Sequence, residues 1–209
     1  MKMRKPLVLI TFFVSLVVIV CLTFYTIYYA SLPFVFDEKG SIILGHKEAP
    51  VELILFEDFQ CGHCQEFSER VLPRLQERYI NSGVVRCVLI PLPLFPGSRA
   101  LTNTALAIYH DSPDSVLPFL RDSYRQFPSN PVTESALLDL VEKTGGIDIE
   151  DVEACMKEHC YYSNINKNLK KARNLMKKQV QVPMLYINGV PVSSLSYDVI
   201  AARIEKILR

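Results

Sequence analysis

The sequence has almost no net charge: 23 lysines and arginines against 22 aspartates and glutamates leave +1 over 209 residues. A chain this balanced has no electrostatic pull toward nucleic acid. Three of those basic residues, Lys2, Arg4 and Lys5, precede the first apolar run, so the remainder is close to neutral. Cysteine is scarce. Six residues (Cys21, Cys61, Cys64, Cys87, Cys155 and Cys160) are too few for a disulfide scaffold in a chain of this length, yet enough for redox chemistry or metal binding. No internal repeat and no low-complexity tract is present. There is one CxxC and no HxxxH pair, which leaves a four-ligand zinc site short of donors.

Charge is also missing from Leu7 to Ala30. A helix of that length spans roughly 36 Å, enough for the hydrocarbon core of a bilayer. Tyr25, Tyr28 and Tyr29 lie at its far end, where aromatic rings favour the headgroup region, and the basic cluster before it is expected to stay inside. These residues predict a single-pass anchor with everything after Ala30 outside the cytosol. A cleaved signal peptide is the rival reading, but its apolar region is shorter, and Tyr28 suits a cut after Ala30 badly. Either way the folded part leaves the cytosol, where disulfides persist.

About 170 residues remain, one domain of ordinary size with a real hydrophobic core. Val51 to Phe56 reads as a buried strand, and Val84 to Leu92 as a second. Between them a helix is expected from Cys61 to about Tyr79, with Phe67, Val71, Leu75 and Tyr79 at four-residue spacing and a kink at Pro73. From Ser98 the pattern turns helical. One helix carries Ala100 to Ile108 and another covers Pro113 to Gln126. A third is capped by Thr133, a fourth by Asp148, and a fifth runs from about Tyr161 to Lys178. Met184 to Ile187, Asn188-Gly189 and Val190 to Val192 then spell a hairpin, and Ser196 can cap a closing helix. The order implies an α/β domain with one helical insertion.

The chemistry points to Cys61-Gly62-His63-Cys64, set between a buried strand and a helix. The first turn of a helix offers unsatisfied N–H groups and the positive end of its dipole, which favours a thiolate at Cys61. His63 can add positive charge or a hydrogen bond. Cys64, one turn deeper, fits the resolving role: exchange passes through a mixed disulfide on Cys61 that Cys64 displaces. A structural disulfide or half of a metal site, with Cys155, His159 and Cys160 as distant donors, is the plainer alternative. His46, His110 and His159 belong to no motif, and packing is their default role.

With these residues in view, the chain resembles the DsbA-like branch of the thioredoxin superfamily from about Ser41 onward. The likeness lies in Ile43-Leu44-Gly45 with Ala49-Pro50-Val51, and in Phe59 to Cys64 followed by Phe67, Leu72-Pro73, Leu75 and Tyr79. It continues in Arg86 to Phe95 with the alanine-rich helix after it, and in Val182-Pro183 with Ile187-Asn188-Gly189 behind. The resemblance implies a thioredoxin fold with an inserted helical domain, and a role in making, breaking or reshuffling disulfides in exported proteins. It implies Cys61 as nucleophile, Cys64 as resolving thiol and His63 as the residue tuning the nucleophile. Val182 and a cis Pro183 would shape the substrate groove; an ordinary trans loop proline is the alternative. It implies no cofactor and no metal, reduced or misoxidised exported proteins as substrates, and a redox partner of unread identity. The resulting division is residues 1–6 as a cytoplasmic tail, 7–30 as an anchor or uncleaved signal, 31–40 as a tether and 41–209 as the folded domain, with the insertion at about 98–178.

The pattern is broken at one place. Many relatives hold a buried acid six residues before the first cysteine, and here that residue is Leu55. Strand alternation puts Glu57 on the same face, which makes it the candidate for proton transfer at Cys64. Cys87 reads as a buried mid-strand thiol. Cys155 and Cys160 cannot bridge along one straight helix, where a rise of about 7.5 Å and the rotation part them, but can if the helix breaks at His159. Net oxidation of exported thiols is the leading function, with isomerase or reductase as the enzymatic alternative and a membrane-tethered metal- or protein-binding module as the alternative from another class. The Gly-His pair is also that of protein disulfide isomerase, at about −180 mV against about −120 mV for DsbA.

Overall fold

The computed structural model describes residues 4–30, 36–128, 131–177 and 179–209, with side chains in the first helix described from Ile10 to Phe24. Two compact units result, residues 1–34 and 35–209. The first holds helix α1, Arg4–Ala30. Among the described residues no helix is long and apolar enough to cross a membrane, so the expected span over 7–30 is not supported here. Lys2, Lys178 and the side chains of Arg4, Lys5, Tyr25, Tyr28 and Tyr29, named above, lie outside the described residues.

The second unit is built on a sheet ordered β1-β3-β2-β4-β5, from β1 (Ile42–Leu44), β2 (Val51–Glu57), β3 (Val85–Pro91), β4 (Met184–Ile187) and β5 (Val190–Pro191). The central pair β2 and β3 is parallel and the other pairings are antiparallel. A parallel pair is covered on both faces, which is why both strands read as near-continuous apolar runs. Val51, Leu53, Leu55, Phe56, Val85, Leu89 and Ile90 are fully buried. At the hairpin, Asn188 (φ 46°) and Gly189 (φ 76°) supply the two left-handed residues a tight turn needs. Asn188 also fixes β4 against β2: its N–H donates to the Glu52 carbonyl (2.9 Å) and its Oδ1 accepts from the Glu52 N–H (2.7 Å).

Between β2 and β3 the expected single helix is broken. Helix α2 spans Gly62–Arg70, with Cys61 as the residue that caps it, and α3 spans Leu72–Leu75 with Pro73 in its first turn. Proline has no N–H to donate and its ring crowds the preceding turn, so the chain restarts its helix there. Beyond α3, residues Gln76–Ile80 wind one residue wider, with the Asn81 N–H reaching the Gln76 carbonyl at 2.9 Å.

Five helices follow β3: α4 (Ser98–Asp111), α5 (Pro113–Gln126), α6 (Glu134–Thr144), α7 (Ile149–Glu158) and α8 (Tyr162–Leu175). Leu101 through Ile108 of α4 are all buried, so this helix is the insertion's core. The Thr133 hydroxyl accepts from the Ala136 N–H, and Asp148 accepts from Glu150 and Asp151, each capping its helix as expected. Ser196 departs from expectation: it precedes the closing helix α9 (Tyr197–Leu208), but its side chain makes no capping hydrogen bond. Asn168 of α8 ties the start of the unit to the insertion. Its Oδ1 accepts from the Asp37 N–H (2.7 Å), and its Nδ2 donates to the carbonyls of Asp37 and Gly40, both at 3.0 Å.

Candidate functional site

Strand β2 ends at Glu57, and Asp58-Phe59-Gln60 carry the chain to Cys61. The turn is held by the buried Asp58. One carboxylate oxygen accepts from the Gln60 N–H (2.8 Å) and the Ser98 hydroxyl (2.6 Å); the other accepts from the N–H groups of Leu94 (2.6 Å) and Phe95 (3.1 Å). Charge-assisted bonds of this kind are the strong ones, so the turn before the cysteine pair is fixed by the segment that follows β3.

Cys61 has extended backbone angles (φ −85°, ψ 121°) at the mouth of α2, with its N–H bonded to the Asp58 carbonyl (2.9 Å). Its Sγ lies 3.8 Å from the Val182 carbonyl oxygen. Val182 and Pro183, joined by a cis peptide bond, are half-buried on the loop before β4. Cys64 is fully buried, and its Sγ accepts from the Asp58 N–H at 3.4 Å. Burial, then the nearby Glu57 carboxylate, push the Cys64 thiol far above its ordinary value. Both sulfurs are therefore buried, Cys61 at 7% exposure rather than open at the helix mouth, and Cys64 lies fully enclosed as a firmly protonated thiol.

Glu57 is 2% exposed at the end of β2. Burial pushes its carboxyl up to about 8, and Asp58 adds to the rise, while a hydrogen bond from the Tyr124 hydroxyl (3.1 Å) opposes it. Near neutral pH it is largely a neutral acid, and its electrostatic influence reaches Cys64, Cys87 and Tyr124. Leu55, where many relatives carry the acid, lies in the sheet opposite Leu185 and Leu89.

The fold thus gathers Cys61, Cys64, Glu57, Val182 and Pro183. His63 is exposed on the first turn of α2. There it rims an open groove of about 460 Å³ with Phe67, Val71, Pro183 and Leu195. Asp58 and Tyr124 were not legible as site residues. Asp58 follows directly on the strand, and an acid at a strand end before a cysteine was the available signal. Tyr124 carries none: it is one apolar position of an amphipathic helix, brought to the acid only by the tertiary fold. Among the described residues, no three His, Cys, Asp or Glu side chains gather as ligands for a metal ion.

A thioredoxin-like sheet with a helical insertion, carrying a sulfur pair at the opening of its first domain helix against a cis-proline loop, defines a thiol–disulfide oxidoreductase. The particular family follows from comparison with known proteins: the chain belongs to the thioredoxin family Thioredoxin_4, whose model matches residues 37–206. It is 31% identical over 171 residues to the probable disulfide bond formation protein D of Bacillus anthracis, covering 79% of this chain and 77% of that one. The disulfide bond formation protein D of Bacillus subtilis (strain 168) is 26% identical over 178 residues, covering 82% and 78%. The crystal structure of oxidised BdbD from Bacillus subtilis superimposes with a TM-score of 0.72 at 26% identity, over 85% of this chain and 97% of that one. Chlamydia trachomatis DsbA shares the fold with the same TM-score at 20% identity, over 85% and 97%. The protein is a protein disulfide oxidoreductase of the DsbA-like type.

Proposed function

We propose that the enzyme is a net oxidant, placing disulfides into exported proteins through Cys61 and Cys64. The observation that carries this is the contrast between the two sulfurs: Cys61 lies against the Val182 carbonyl, and Cys64 is fully buried beside an acid that is largely neutral near pH 7. A substrate thiolate attacks the Cys61 sulfur of the oxidised pair, and Cys64 is expelled. A thiol as reluctant to ionise as Cys64 is a poor anionic leaving group. Glu57 supplies the proton as the S–S bond breaks, and Tyr124 holds the acid in place. A second substrate thiolate then attacks the mixed disulfide and releases Cys61, leaving the substrate oxidised and the pair reduced. Val182 and Pro183 shape the groove where substrate backbone lies, and His63 acts from its rim. The relatives named for disulfide bond formation support this direction of electron flow.

A redox partner must return the pair to the disulfide. Work outside the cytosol, and retention in a membrane by residues 7–30, are the finer parts of this reading; they rest on the uncharged run from Leu7 to Ala30 behind Arg4 and Lys5. Alkaline carbonate extraction of cells that keeps the chain in the pellet would support anchoring, and full release would reject it.

Refolding of reduced ribonuclease tests the function. The oxidised enzyme is expected to restore activity in stoichiometric bursts, Cys61→Ser to abolish the burst, and a redox titration to give a potential well above about −270 mV, the thioredoxin value. A potential near that value, or a Cys61→Ser enzyme as active as wild type, rejects the oxidant reading.

A further inference from the structure

A second pair of sulfurs lies in the insertion. Helix α7 ends at Glu158, and His159 takes up left-handed angles (φ 57°, ψ 42°). The Cys160 N–H then returns to the Cys155 carbonyl at 3.3 Å. A left-handed residue followed by a bond back over five positions is the Schellman ending of a helix, which brings the side chain after the turn against the one that accepts the bond. Here those two side chains are Cys160 and Cys155, which line the same pocket.

The turn is fixed from below. Buried Asn103 of α4 donates through Nδ2 to the Cys155 carbonyl (3.1 Å), and its Oδ1 accepts from the Tyr161 N–H (3.0 Å). One side chain thus grips the backbone on both sides of the break. The His159 ring stacks on Tyr162 at 4.3 Å, and His110 stacks on Tyr161 at 5.0 Å. Both cysteines open onto a shallow pocket of about 280 Å³ that also includes His110, Asp111 and Asp151. Cys160 is exposed, whereas Cys155 is 9% exposed and its thiol is pushed up to about 12 by burial and then by Cys160.

From this geometry we infer that Cys155 and Cys160 are a second, reversible thiol–disulfide site, which takes a disulfide of a small thiol such as glutathione as its oxidant. Cys160, as thiolate, attacks one sulfur of that disulfide, forming a mixed disulfide and expelling the first small thiolate. Cys155 gives its proton to that thiolate and attacks the Cys160 sulfur. The Cys155–Cys160 bond forms, and the second small thiolate leaves and takes a proton from solvent. Two protein thiols lose two electrons, and one small disulfide becomes two thiols. The site does not depend on Cys61 or Cys64.

The test uses the full chain, wild type and Cys61→Ser/Cys64→Ser, reduced and then exposed to oxidised glutathione under native conditions. After acid quenching and alkylation, trypsin cuts behind Lys157 and puts the two cysteines in separate peptides, Thr144–Lys157 and Glu158–Lys167. The expected result is a linked peptide pair, two hydrogens lighter than the sum, in most molecules of both proteins. Dithiothreitol should remove it, and Cys160→Ser should not form it. Recovery of Cys155 and Cys160 as alkylated thiols or separate glutathione adducts in wild type and double variant alike overturns the proposal. So does a linked pair formed equally well only after denaturation, since the folded turn is then not what joins them.

Discussion

Tyr124, from the helical insertion, donates its hydroxyl to Oε2 of Glu57, at the end of the central strand, across 3.1 Å of buried space. The contact joins the two layers of the domain at the acid beneath the cysteine pair. It also means that the acid's proton affinity is set partly from outside the thioredoxin-like core.

That acid should make stability fall as pH rises. The folded chain holds the Glu57 proton up to about pH 8, against an ordinary value of 4.5, so the folded state binds more protons between those limits. The stability of neutral Glu57 is fully present below about 4.5 and is lost as pH rises through about 8. Glu57→Gln removes this loss. Relative to wild type it should gain up to about 1.4 kcal/mol per pH unit across the window and level off above it. Urea unfolding at pH 5, 6.5 and 8.5 measures it, and parallel curves for the two proteins would refute the buried acid.

Tyr124→Phe removes the hydrogen bond from its hydroxyl to the Glu57 carboxylate and should cost about 1–2 kcal/mol of stability. Because that bond lowers the acid's proton affinity, its loss moves the alkaline limb of the thiol-oxidation rate to higher pH. Glu57→Gln should erase the limb. Stopped-flow oxidation of a dithiol peptide from pH 5 to 10 distinguishes the two outcomes.

The two cysteines should fail differently. Cys61→Ser leaves no sulfur for substrate, and exchange should drop to the uncatalysed rate. Cys64→Ser keeps Cys61 but lacks the thiol that resolves the intermediate, so mixed disulfides with substrate should accumulate on Cys61. Non-reducing electrophoresis of the reduced proteins after incubation with scrambled, disulfide-bonded ribonuclease, whose disulfides the Cys61 thiolate attacks, shows this as a slower band in the Cys64→Ser protein alone.

Asn168→Ala should cost about 3 kcal/mol, because it strands the Asp37 N–H and the Asp37 and Gly40 carbonyls in a part-buried corner. Amide exchange should quicken at Asp37–Ser41 while that of β2 follows the global loss.

The elements of the fold were largely legible because both central strands are buried on two faces and because Asn188-Gly189, Thr133 and Asp148 carry their own turn and cap chemistry. The cysteine pair was legible from spacing and from the strand before it. The break after Arg70 was half visible: Pro73 announced a disturbance, but a kink and a restart look alike in sequence. Ser196 shows the opposite failure, a cap residue in the right place whose side chain makes no capping bond. The Tyr124–Glu57 contact could not be read at all. The residues stand 67 positions apart, and nothing in an amphipathic helix says which of its buried rings will meet an acid.

The Asp58 carboxylate has a consequence for anyone hoping to trade parts between relatives. Its four partners come from its own turn and from the run that leads into α4, so the seam between core and insertion is stitched by a buried ion. A chimera spliced at residue 92 would part the anion from the segment that positions three of its four donors, Leu94, Phe95 and Ser98. Cuts that carry residues 57–60 together with 94–98 are the ones that keep both halves of the graft solvent-tight.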